Sequence, residues 1–258
     1  MEIITSASNK IVKYIRALHS KKGRAAADAF LVEGAKFVGE IAAPWEIEFM
    51  VFSASYAKGK NMSKYGNCPF YIVADRIFPS LVDATSPQGV FAVVKQRKFA
   101  MDDIFATENP LLLLLEEIND PGNLGTMLRI AHALGLSGLA LSENCADVYS
   151  PKVIRSSAGS VFHVPFVIAP LARVAHALAA HNVAIFAATA SAQNPLYNLD
   201  FTRPAAFLIG NEARGLSREA LQLTNTHVKI PIFSESLNAS VACAMLAYEA
   251  FRQRLKGF

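Results

Sequence analysis

Three short segments place Asn, Glu, Ser and Arg side chains where an apolar run gives way to a helical pattern. The first spans residues 119–129, after the leucines at 111–115, and the second spans 207–217. The third spans 229–249 and begins with a β-type run that ends at Pro231. Polar side chains between a strand end and a helix start either bind a ligand or cap the helix. Alone, the third segment favours capping, whereas three segments with one layout favour a ligand site.

The repeated order of strand, polar loop and helix predicts an open α/β sheet. In such sheets the loops at the carboxyl ends of the strands meet at one edge, where ligands bind. No G-x-G-x-x-G turn and no P-loop follows a predicted strand, which argues against an ordinary dinucleotide or nucleotide site. A ligand at this edge must therefore be held by other loops.

Composition restricts the class of protein. The 258 residues are 52% hydrophobic and 18% charged, which is typical of a packed globular chain of one or two domains. No apolar run approaches the roughly 20 residues of a membrane span, and the start lacks a signal-peptide pattern, so we expect a cytoplasmic location and no membrane partner. Cys68, Cys145 and Cys243 are widely spaced without a CxxC pair. This spacing predicts core cysteines and neither a metal site nor a disulfide framework.

Basic residues are concentrated in the first part of the chain. Residues 1–100 carry 14 Lys and Arg against 8 Asp and Glu, and residues 101–258 carry 11 against 13. The densest basic block has six members: Lys10, Lys13, Arg16, Lys21, Lys22 and Arg24. Such a block is either a solvated helix face or a surface that contacts nucleic-acid phosphates.

Together the three polar segments resemble the three motifs of the SpoU (TrmH-type) branch of the SPOUT RNA methyltransferases. The first motif, Asn-x-Gly-x-x-x-Arg, is met by Asn123, Gly125 and Arg129. The second, Gly-Asn-Glu-x-x-Gly-Leu-Ser, is met by Gly210, Asn211, Glu212, Gly215, Leu216 and Ser217. The third, Ile-Pro followed by Ser-Leu-Asn-x-Ser-Val-Ala, is met by Ile230, Pro231, Ser236, Leu237, Asn238, Ser240, Val241 and Ala242. The chain departs from the pattern in its short loop 232–235, which predicts a tighter cofactor loop.

This resemblance implies an S-adenosylmethionine-dependent methyltransferase that modifies an RNA ribose 2′-hydroxyl and forms a homodimer through a C-terminal trefoil-knot domain. The implied catalytic residues are Arg129, Asn123, Glu212, Ser236 and Asn238. The implied cofactor-binding residues are Gly210, Asn211, Glu212, Gly215, Leu216, Ile230, Pro231, Ser236, Leu237 and Asn238. The alternative function is a non-catalytic RNA-binding or ribosome-assembly protein that kept the fold.

Within this implied site, Arg129 is the strongest catalytic candidate. A guanidinium has a pKa above about 12, which makes it a poor general base. We therefore expect it to bind the target phosphate and to stabilise negative charge on the 2′ oxygen. Arg155 and His163 are weaker candidates, for which a surface RNA contact and a position at the edge of the core are favoured.

The first half also resembles part of the family. Phe-Leu-Val-Glu-Gly at 30–34 and Pro-Gln-Gly-Val at 87–90 resemble the ribosomal-protein-like, substrate-binding domain of members that modify rRNA. In front of a methyltransferase-like half, the basic block is interpreted as an RNA-binding surface, and rRNA is favoured over tRNA.

The predicted architecture is a small N-terminal α/β RNA-binding domain followed by a knotted α/β domain with a mostly parallel sheet. Its boundaries are placed at 1–98, a polar linker at 99–110, and 111–258. Predicted strands are 28–34, 48–53, 70–73, 89–95, 111–115, 138–141, 161–167, 183–188, 206–210 and 227–230. Predicted helices are 3–20, 35–41, 124–134, one opened by Ser150-Pro151, and 240–256, the last with an apolar stripe of Val241, Met245, Tyr248, Phe251 and Leu255.

Overall fold

A computed structural model describes residues 3–58, 65, 68–233 and 236–255. The chain forms two compact units. The N-terminal unit comprises Met1–Arg97 and Tyr149–Phe162, and the C-terminal unit comprises Lys98–Val148 and His163–Phe258. The segment Tyr149–Phe162 therefore belongs to the N-terminal unit, whereas the predicted boundaries assign it to the C-terminal domain, 111–258.

Aromatic packing explains why that later segment belongs to the N-terminal unit. The ring of Tyr149 lies 4.6 Å from that of Phe30, and the ring of Phe162 lies 5.3 Å from that of Trp45. The indole N–H of Trp45 also donates to the carbonyl of Phe162 at 2.8 Å. Buried aromatic pairs contribute beyond the area they bury, and nothing in a linear pattern shows which rings will meet.

The N-terminal unit contains a five-stranded mixed sheet in the order β1-β4-β3-β5-β2. Its strands are β1 (Ile3–Ile4), β2 (Ala29–Glu33), β3 (Ile47–Ser53), β4 (Phe70–Val73) and β5 (Val90–Lys95). β5 runs antiparallel to β2 and β3, whereas β4 runs parallel to β1 and β3. The predicted strands of this half are thus present, with β1 in addition.

The helices of this unit are α1 (Lys10–Ala17), α2 (Lys21–Ala27), α3 (Ala35–Glu40), α4 (Ala54–Ala57) and, from the later segment, α6 (Pro151–Ser157). The helix predicted over 3–20 is shorter, because the Asn9 side chain caps α1 by accepting from the N–H of Ile11 at 2.8 Å. The residues before this cap include β1. Ser150 caps α6 as predicted, with Pro151 at its first position.

The segment 30–34 is used to hold a neighbouring loop. The Glu33 carboxylate accepts from the N–H groups of Asp83 at 2.7 Å and Ala84 at 3.0 Å. The side-chain oxygen of Gln88 accepts from the N–H of Ala35 at 3.1 Å. The N–H of Gly34 donates to the carbonyl of Val90 at 2.9 Å, so the two segments that carry the resemblance in this half are directly bonded to each other.

The C-terminal unit contains a seven-stranded sheet in the order β10-β12-β9-β11-β6-β7-β8. Its strands are β6 (Leu111–Leu115), β7 (Gly138–Leu141), β8 (Phe166–Ile168), β9 (Ala184–Ala188), β10 (Asn194–Pro195), β11 (Ala205–Ile209) and β12 (His227–Lys229). All six pairings between these strands are parallel, which agrees with the predicted mostly parallel sheet. The central strands β6 and β11 are buried along their whole length, which explains why their apolar runs do not alternate with polar residues.

The helices of this unit are α5 (Pro121–Ala133), α7 (Leu171–Ala180), α8 (Arg218–Leu221) and α9 (Ala239–Arg254). The predicted strand 161–167 is wrong, because residues 160–162 form a 3-10 turn and only Phe166–Ile168 pairs in the sheet. Pro165, which has no N–H to donate to a ladder, stands just before β8. The predicted end of α9 at Lys256 lies outside the described residues.

Candidate cofactor and active site

The carboxyl ends of β6 and β11 lie side by side. Leu115 pairs with Ile209 in parallel register, and the N–H of Glu116 donates to the carbonyl of Ile209 at 2.8 Å. Because both strands end here, the loops that follow them begin next to each other. This is the sheet edge at which the order of elements predicts a ligand site.

A chain of hydrogen bonds joins the three motif segments. The Glu212 carboxylate accepts from Nδ2 of Asn123 at 3.1 Å and from the backbone N–H groups of Asn119 at 3.4 Å and Asp120 at 3.3 Å. Oδ1 of Asn123 accepts in turn from Nδ2 of Asn238 at 3.1 Å. Glu212, Asn123 and Asn238 therefore connect the second, first and third segments.

The Glu212 carboxyl is held in its ionised form. Burial alone would raise its pKa, but hydrogen bonds from the Asn123 side chain and from backbone N–H groups outweigh burial and lower the pKa. A carboxylate that accepts several N–H groups favours the charged state in this way. The observed contacts of Glu212 are those of a tether between two loops.

Helix capping and loop tethering both occur at Asn238. Its Oδ1 accepts from the N–H groups of Ser240 at 2.8 Å and Val241 at 3.4 Å, which caps α9. Its Nδ2 is thereby left to reach Asn123. The capping interpretation is thus correct for Asn238, and the same side chain also serves the network.

The second segment forms a tight loop closed by backbone hydrogen bonds. The N–H of Asn211 donates to the carbonyl of Gly215 at 3.1 Å, and the reverse bond measures 2.9 Å. Oδ1 of Asn211 accepts from the N–H groups of Ala213 at 3.0 Å and Arg214 at 3.1 Å. Gly215 has φ +69°, a left-handed conformation that favours glycine. A Cβ at Gly210 would lie 2.4 Å from the carbonyl carbon of Gly215, so the loop requires both glycines.

Two glutamates that directly follow β6 brace this loop, and neither was among the predicted site residues. Glu116 accepts from the N–H of Ser217 at 2.8 Å and from its hydroxyl at 2.6 Å. Glu117 forms an ion pair with Arg214, and its carbonyl accepts from Nδ2 of Asn211 at 2.9 Å. Glu117 has φ +50°, which is uncommon for a residue other than glycine. The available signal was an acidic pair directly after the predicted strand 111–115.

A cleft with a volume of about 370 Å³ opens beside the loop. Eight predicted cofactor residues line it: Gly210, Asn211, Glu212, Gly215, Leu216, Ile230, Ser236 and Leu237. Of the other two, Pro231 lines an apolar groove of the same unit, and Asn238 lies in the hydrogen-bond network. Residues 188–190, at the carboxyl end of β9, line the cleft as well and were missed, although their strand was predicted.

Arg129 lies outside the network. It follows Asn123 by six residues in α5, which separates the two positions by about 9 Å along the helix axis and places them on different faces. Its side chain is exposed, and it forms no hydrogen bond or ion pair with the residues that the structure describes. Ala133, one turn further along the helix, lines the apolar groove. Arg129 is therefore placed at the edge of that groove.

The basic block of the N-terminal unit is exposed except at Arg24. Lys10, Lys13, Lys21 and Lys22 are exposed, and the exposed Arg16 donates to Oγ of Ser80 at 2.8 Å. Arg24 is only 4% exposed and donates to the carbonyls of Leu18 at 2.8 Å and His19 at 3.0 Å. Arg24 thus differs from the prediction: its guanidinium holds the chain between α1 and α2 and is not open to a phosphate.

The two weaker candidates also have partners. Arg155 forms an ion pair with Asp83 at 2.5 Å within the N-terminal unit. His163 is exposed and stacks on His132 in the C-terminal unit, with ring centroids 4.4 Å apart. From the sequence, a position of His163 at the edge of the core was favoured, and in the structure this exposed residue lies between the buried Phe162 and Val164.

Two of the three cysteines lie in the core, as predicted, whereas Cys68 is only partly buried. Cys145 and Cys243 are buried, and burial raises the pKa of Cys243 to about 12, which keeps it an unreactive thiol. Within 3–58, 65, 68–233 and 236–255, no cluster of His, Cys, Asp and Glu could hold a metal ion. None of the helices in those ranges combines the length and apolar character needed to span a bilayer.

Both halves of the chain match known families. Residues 110–248 match the SpoU rRNA Methylase family, and residues 9–92 match the MRM3-like substrate binding domain. The 23S rRNA (guanosine(2553)-2'-O)-methyltransferase RlmP of Bacillus subtilis is 31% identical over 251 residues, which cover 96% of this chain and 98% of that protein. A 23S rRNA (uridine(2479)-2'-O)-methyltransferase of Streptomyces viridochromogenes is 30% identical over 271 residues, which cover 98% and 93%.

Solved structures agree with these matches. The SpoU methyltransferase AviRb from Streptomyces viridochromogenes, in complex with the cofactor AdoMet (S-adenosylmethionine), has a TM-score of 0.88 at 29% identity and covers 97% of this chain and 100% of its own. An AdoMet-bound rRNA methyltransferase from Sinorhizobium meliloti has a TM-score of 0.85 at 28% identity, with 99% of both chains covered. The predicted α/β fold and family resemblance are thus confirmed, and the knot remains what the family implies. This chain belongs to the SpoU rRNA methylase family.

Proposed function

We propose that this protein is an S-adenosylmethionine-dependent methyltransferase that modifies a ribose 2′-hydroxyl in RNA, with rRNA as the favoured substrate. The proposal rests on the hydrogen-bond network of Glu212, Asn123 and Asn238. This network joins the three motif segments beside a cleft of small-molecule size. A non-catalytic RNA-binding or ribosome-assembly protein would not need this network intact. The relatives described above are named as 23S rRNA methyltransferases, which supports rRNA over tRNA.

The residues of the cleft fit the cofactor. Leu216, Ile230 and Leu237 offer apolar walls suited to an adenine ring, and the ionised Glu212 places a negative charge at a site for a cationic ligand. When bound, S-adenosylmethionine supplies an electrophilic methyl group on a positively charged sulfur. Since that methyl group is already activated, the protein's own tasks are to orient the 2′-hydroxyl and to assist the loss of its proton.

We assign Arg129 to the RNA. A guanidinium remains charged and presents several donors, so it binds the phosphate beside the target ribose and stabilises the negative charge that develops on the 2′ oxygen. Its exposure and its lack of partners among the described residues leave it available for this task. The hydroxyl proton then passes to a phosphate oxygen or to water.

We further propose that the apolar groove is covered by a second copy of this chain. The groove has a volume of about 720 Å³ and contains Ile130, Ala133, Leu134, Leu196, Tyr197, Ile230, Pro231, Ala244, Met245, Tyr248 and Glu249. On α9, Val241, Met245 and Tyr248 remain 45%, 44% and 57% exposed, so the predicted stripe faces away from the core of its own unit. Contiguous exposed apolar surface of this kind marks interaction sites.

A charge placed in the groove is expected to separate the copies. Met245→Glu combined with Tyr248→Glu should shift the protein from dimer to monomer in sedimentation velocity, because a homodimer interface tolerates few unpaired charges at its centre. Ala179→Glu, at an exposed position on α7, is the matched control and should leave the dimer intact. A monomeric parent protein, or a double variant that stays dimeric, would contradict this use of the groove.

Cofactor binding should depend on the network. Asn238→Ala removes the cap of α9 and the bond to Asn123, whereas Asn238→Asp keeps a capping oxygen and loses the donor to Asn123. We expect both variants to bind S-adenosylmethionine about 3- to 10-fold more weakly by calorimetry, which is the effect of one lost hydrogen bond. Asn9→Ala, which removes the cap of α1, is the control and should bind as the parent does. Parent affinity in both Asn238 variants would move the cofactor away from this loop.

RNA affinity should depend on the exposed part of the basic block, namely Lys10, Lys13, Arg16, Lys21 and Lys22. The double change Lys21→Ala and Lys22→Ala should weaken RNA binding and flatten its salt dependence by about 0.7–0.9 log–log units for each lost phosphate contact. Lys58→Ala, exposed elsewhere in this unit, should leave the slope unchanged. An unchanged slope in the double variant would mean that these two lysines are only solvated.

The reaction itself is tested by mapping 2′-O-methyl groups in total RNA from cells with and without this protein. A site that disappears from rRNA with the protein, and returns with the purified protein and S-adenosylmethionine, identifies the target. If the site that disappears lies in tRNA, the substrate differs from the proposed one but the reaction is the same. If every 2′-O-methyl site remains in cells without the protein, the non-catalytic alternative is favoured. An rRNA substrate is also our basis for proposing a cytoplasmic location.

A further inference from the structure

A cavity of about 470 Å³ opens in the N-terminal unit between α1 and the strands β3 and β4. Its lining combines aromatic rings, a proline and a lysine: Lys10, Ile11, Tyr14, Glu48, Phe49, Pro69 and Tyr71. We call it the Tyr14–Tyr71 pocket. All of its lining residues belong to the N-terminal unit, which carries the basic block. None of them lines the cofactor cleft.

The rings of this pocket are fixed by packing. Phe49 is 5% exposed, and its ring lies 6.1 Å from that of Tyr14 and 5.1 Å from that of Tyr71, the latter edge to face. Tyr14 and Tyr71 are half-buried, so each keeps part of its ring open to the pocket. The hydroxyl of Tyr14 donates to Glu48 at 2.9 Å, whereas that of Tyr71 has no partner among the described residues.

The charge around the pocket is positive. Lys10 lies in its wall, and Lys13 lies one turn of α1 further along. Both are exposed, and neither forms an ion pair within the described part of the chain. Glu48 is the one carboxylate among the lining residues, and it is already engaged by Lys95 at 3.1 Å and by the hydroxyl of Tyr14. Two ammonium groups are thus left for an anionic ligand.

Burial, followed by the hydrogen bond from Tyr14 to Glu48 and the charge of Glu48, raises the pKa of Tyr14 to about 12. The phenol is therefore neutral in the physiological range and adds no negative charge that would repel a phosphate. Open aromatic faces beside unpaired lysines are the combination that binds single-stranded nucleic acid, because every base has a face to stack and every nucleotide has a phosphate.

We propose that the Tyr14–Tyr71 pocket binds an unpaired base of the RNA substrate, stacked on the two tyrosines, with neighbouring phosphates held by Lys10 and Lys13. The inference rests on the proposed function for its substrate class and adds to it a preference for an unpaired nucleotide. In a duplex the bases are stacked inside the helix, so the lysines would contribute to binding and the tyrosine rings would not. A protein ligand would depend on the rings without favouring RNA.

The test uses the full-length protein and two RNA probes, a hairpin with 2-aminopurine in its unpaired loop and a fully paired duplex of equal length. Tyr71→Leu keeps an apolar side chain against Phe49 and removes the aromatic face, whereas Tyr71→Phe keeps the face. We expect Tyr71→Leu to bind the hairpin roughly 5- to 100-fold more weakly, as stacking on one aromatic side chain predicts, and to reduce the quenching of 2-aminopurine. Tyr71→Phe should bind and quench as the parent does, and duplex binding should change in neither variant.

The lysines are tested separately. The double change Lys10→Ala and Lys13→Ala should lower the salt slope for the hairpin by roughly 0.7 for each lost contact, and Lys36→Ala on α3 is the matched control that should not. Equal hairpin affinity in Tyr71→Leu and the parent protein would overturn the stacking site, as would an equal loss for hairpin and duplex. Failure of the proposed function is seen independently, as a parent protein that neither binds S-adenosylmethionine nor transfers a methyl group.

Discussion

Replacing Arg129 by Ala is expected to reduce the rate of methyl transfer by about 10²–10³, the typical cost of losing one preorganised donor to a developing oxyanion. The side chain is exposed and unpaired among the described residues, so its removal leaves no buried partner unsatisfied and the fold should be unaffected. Cofactor affinity should barely change, because the cleft is lined by other residues. Single-turnover transfer to RNA and calorimetry with S-adenosylmethionine measure the two quantities.

Arg129→Lys separates binding of charge from base catalysis. A lysine keeps the positive charge without the planar fork of donors, so this variant should retain part of the activity with the pH dependence of the parent. If Arg129 were a general base, its own titration would appear as one limb of the pH–rate profile of the parent, and that limb would be lost in the variant. Loss of a limb would overturn the assignment. Arg173→Ala, at another exposed arginine of the same unit, should transfer methyl groups at the parent rate.

The position of Arg129 ties this prediction to the proposed dimer. Because Arg129 and Ala133 share a face of α5 and Ala133 lines the apolar groove, a second copy seated on the groove lies beside the guanidinium. A monomeric variant of the groove should then lose activity even though Arg129 is unchanged. The residues of the network and of the cleft belong to one copy of the chain, so we expect the monomeric variant to keep its affinity for the cofactor.

The local parts of the site could be predicted because their signals are local. Asn238 precedes an Ala-rich run, and an asparagine at that position satisfies the first N–H groups of a helix. Leu111–Leu115 is apolar at every position, as expected for a strand covered on both faces. The agreement of three such segments with one family then identified eight of the eighteen described residues that line the cleft.

The parts that could not be predicted depend on contacts between distant residues. Arg24 resembles its neighbours Lys21 and Lys22 in sequence, but only the fold shows that its guanidinium is turned onto the carbonyls of residues 18 and 19. Tyr149–Phe162 follows β7 in the chain, yet its rings pack on Phe30 and Trp45. No periodicity carries this information, because it depends on which apolar surfaces meet after folding.

The stripe on α9 shows a related ambiguity. Helical spacing predicts an apolar face through Val241, Met245 and Tyr248, and these residues are the exposed ones. The face that packs within the unit consists mainly of small residues, with Cys243 and Ala247 among those fully buried. Spacing alone does not show which of two apolar faces on one helix will be buried. In α9 the smaller side chains allow close packing within the unit, and the larger ones are therefore left available for a partner.

Gly210→Ala is expected to impair cofactor binding more than any single hydrogen-bond deletion. The added Cβ would lie 2.4 Å from the carbonyl carbon of Gly215 and 2.5 Å from the N atom of Leu216. Both are backbone atoms of the loop that lines the cleft, so the clash cannot be relieved by rotating a side chain. The loop must open, which breaks the bonds between Asn211 and Gly215 at 3.1 and 2.9 Å. Forced overpacking typically costs about 1–3 kcal/mol, and we expect a roughly 10- to 100-fold loss of S-adenosylmethionine affinity by calorimetry.

The control for Gly210→Ala is Gly39→Ala, in the last turn of α3, where a Cβ would meet no atom within 4 Å. That change should leave cofactor affinity unaltered and raise the midpoint of thermal unfolding slightly, because alanine favours a helix over glycine by roughly 1 kcal/mol. A combined readout distinguishes a local from a global effect of Gly210→Ala: a local one lowers affinity while RNA binding by the N-terminal unit is preserved. Parent affinity in Gly210→Ala would mean that the loop 210–217 does not form the wall of the cofactor site. Loss of RNA binding together with cofactor binding would mean that the substitution unfolds more of the chain than this loop.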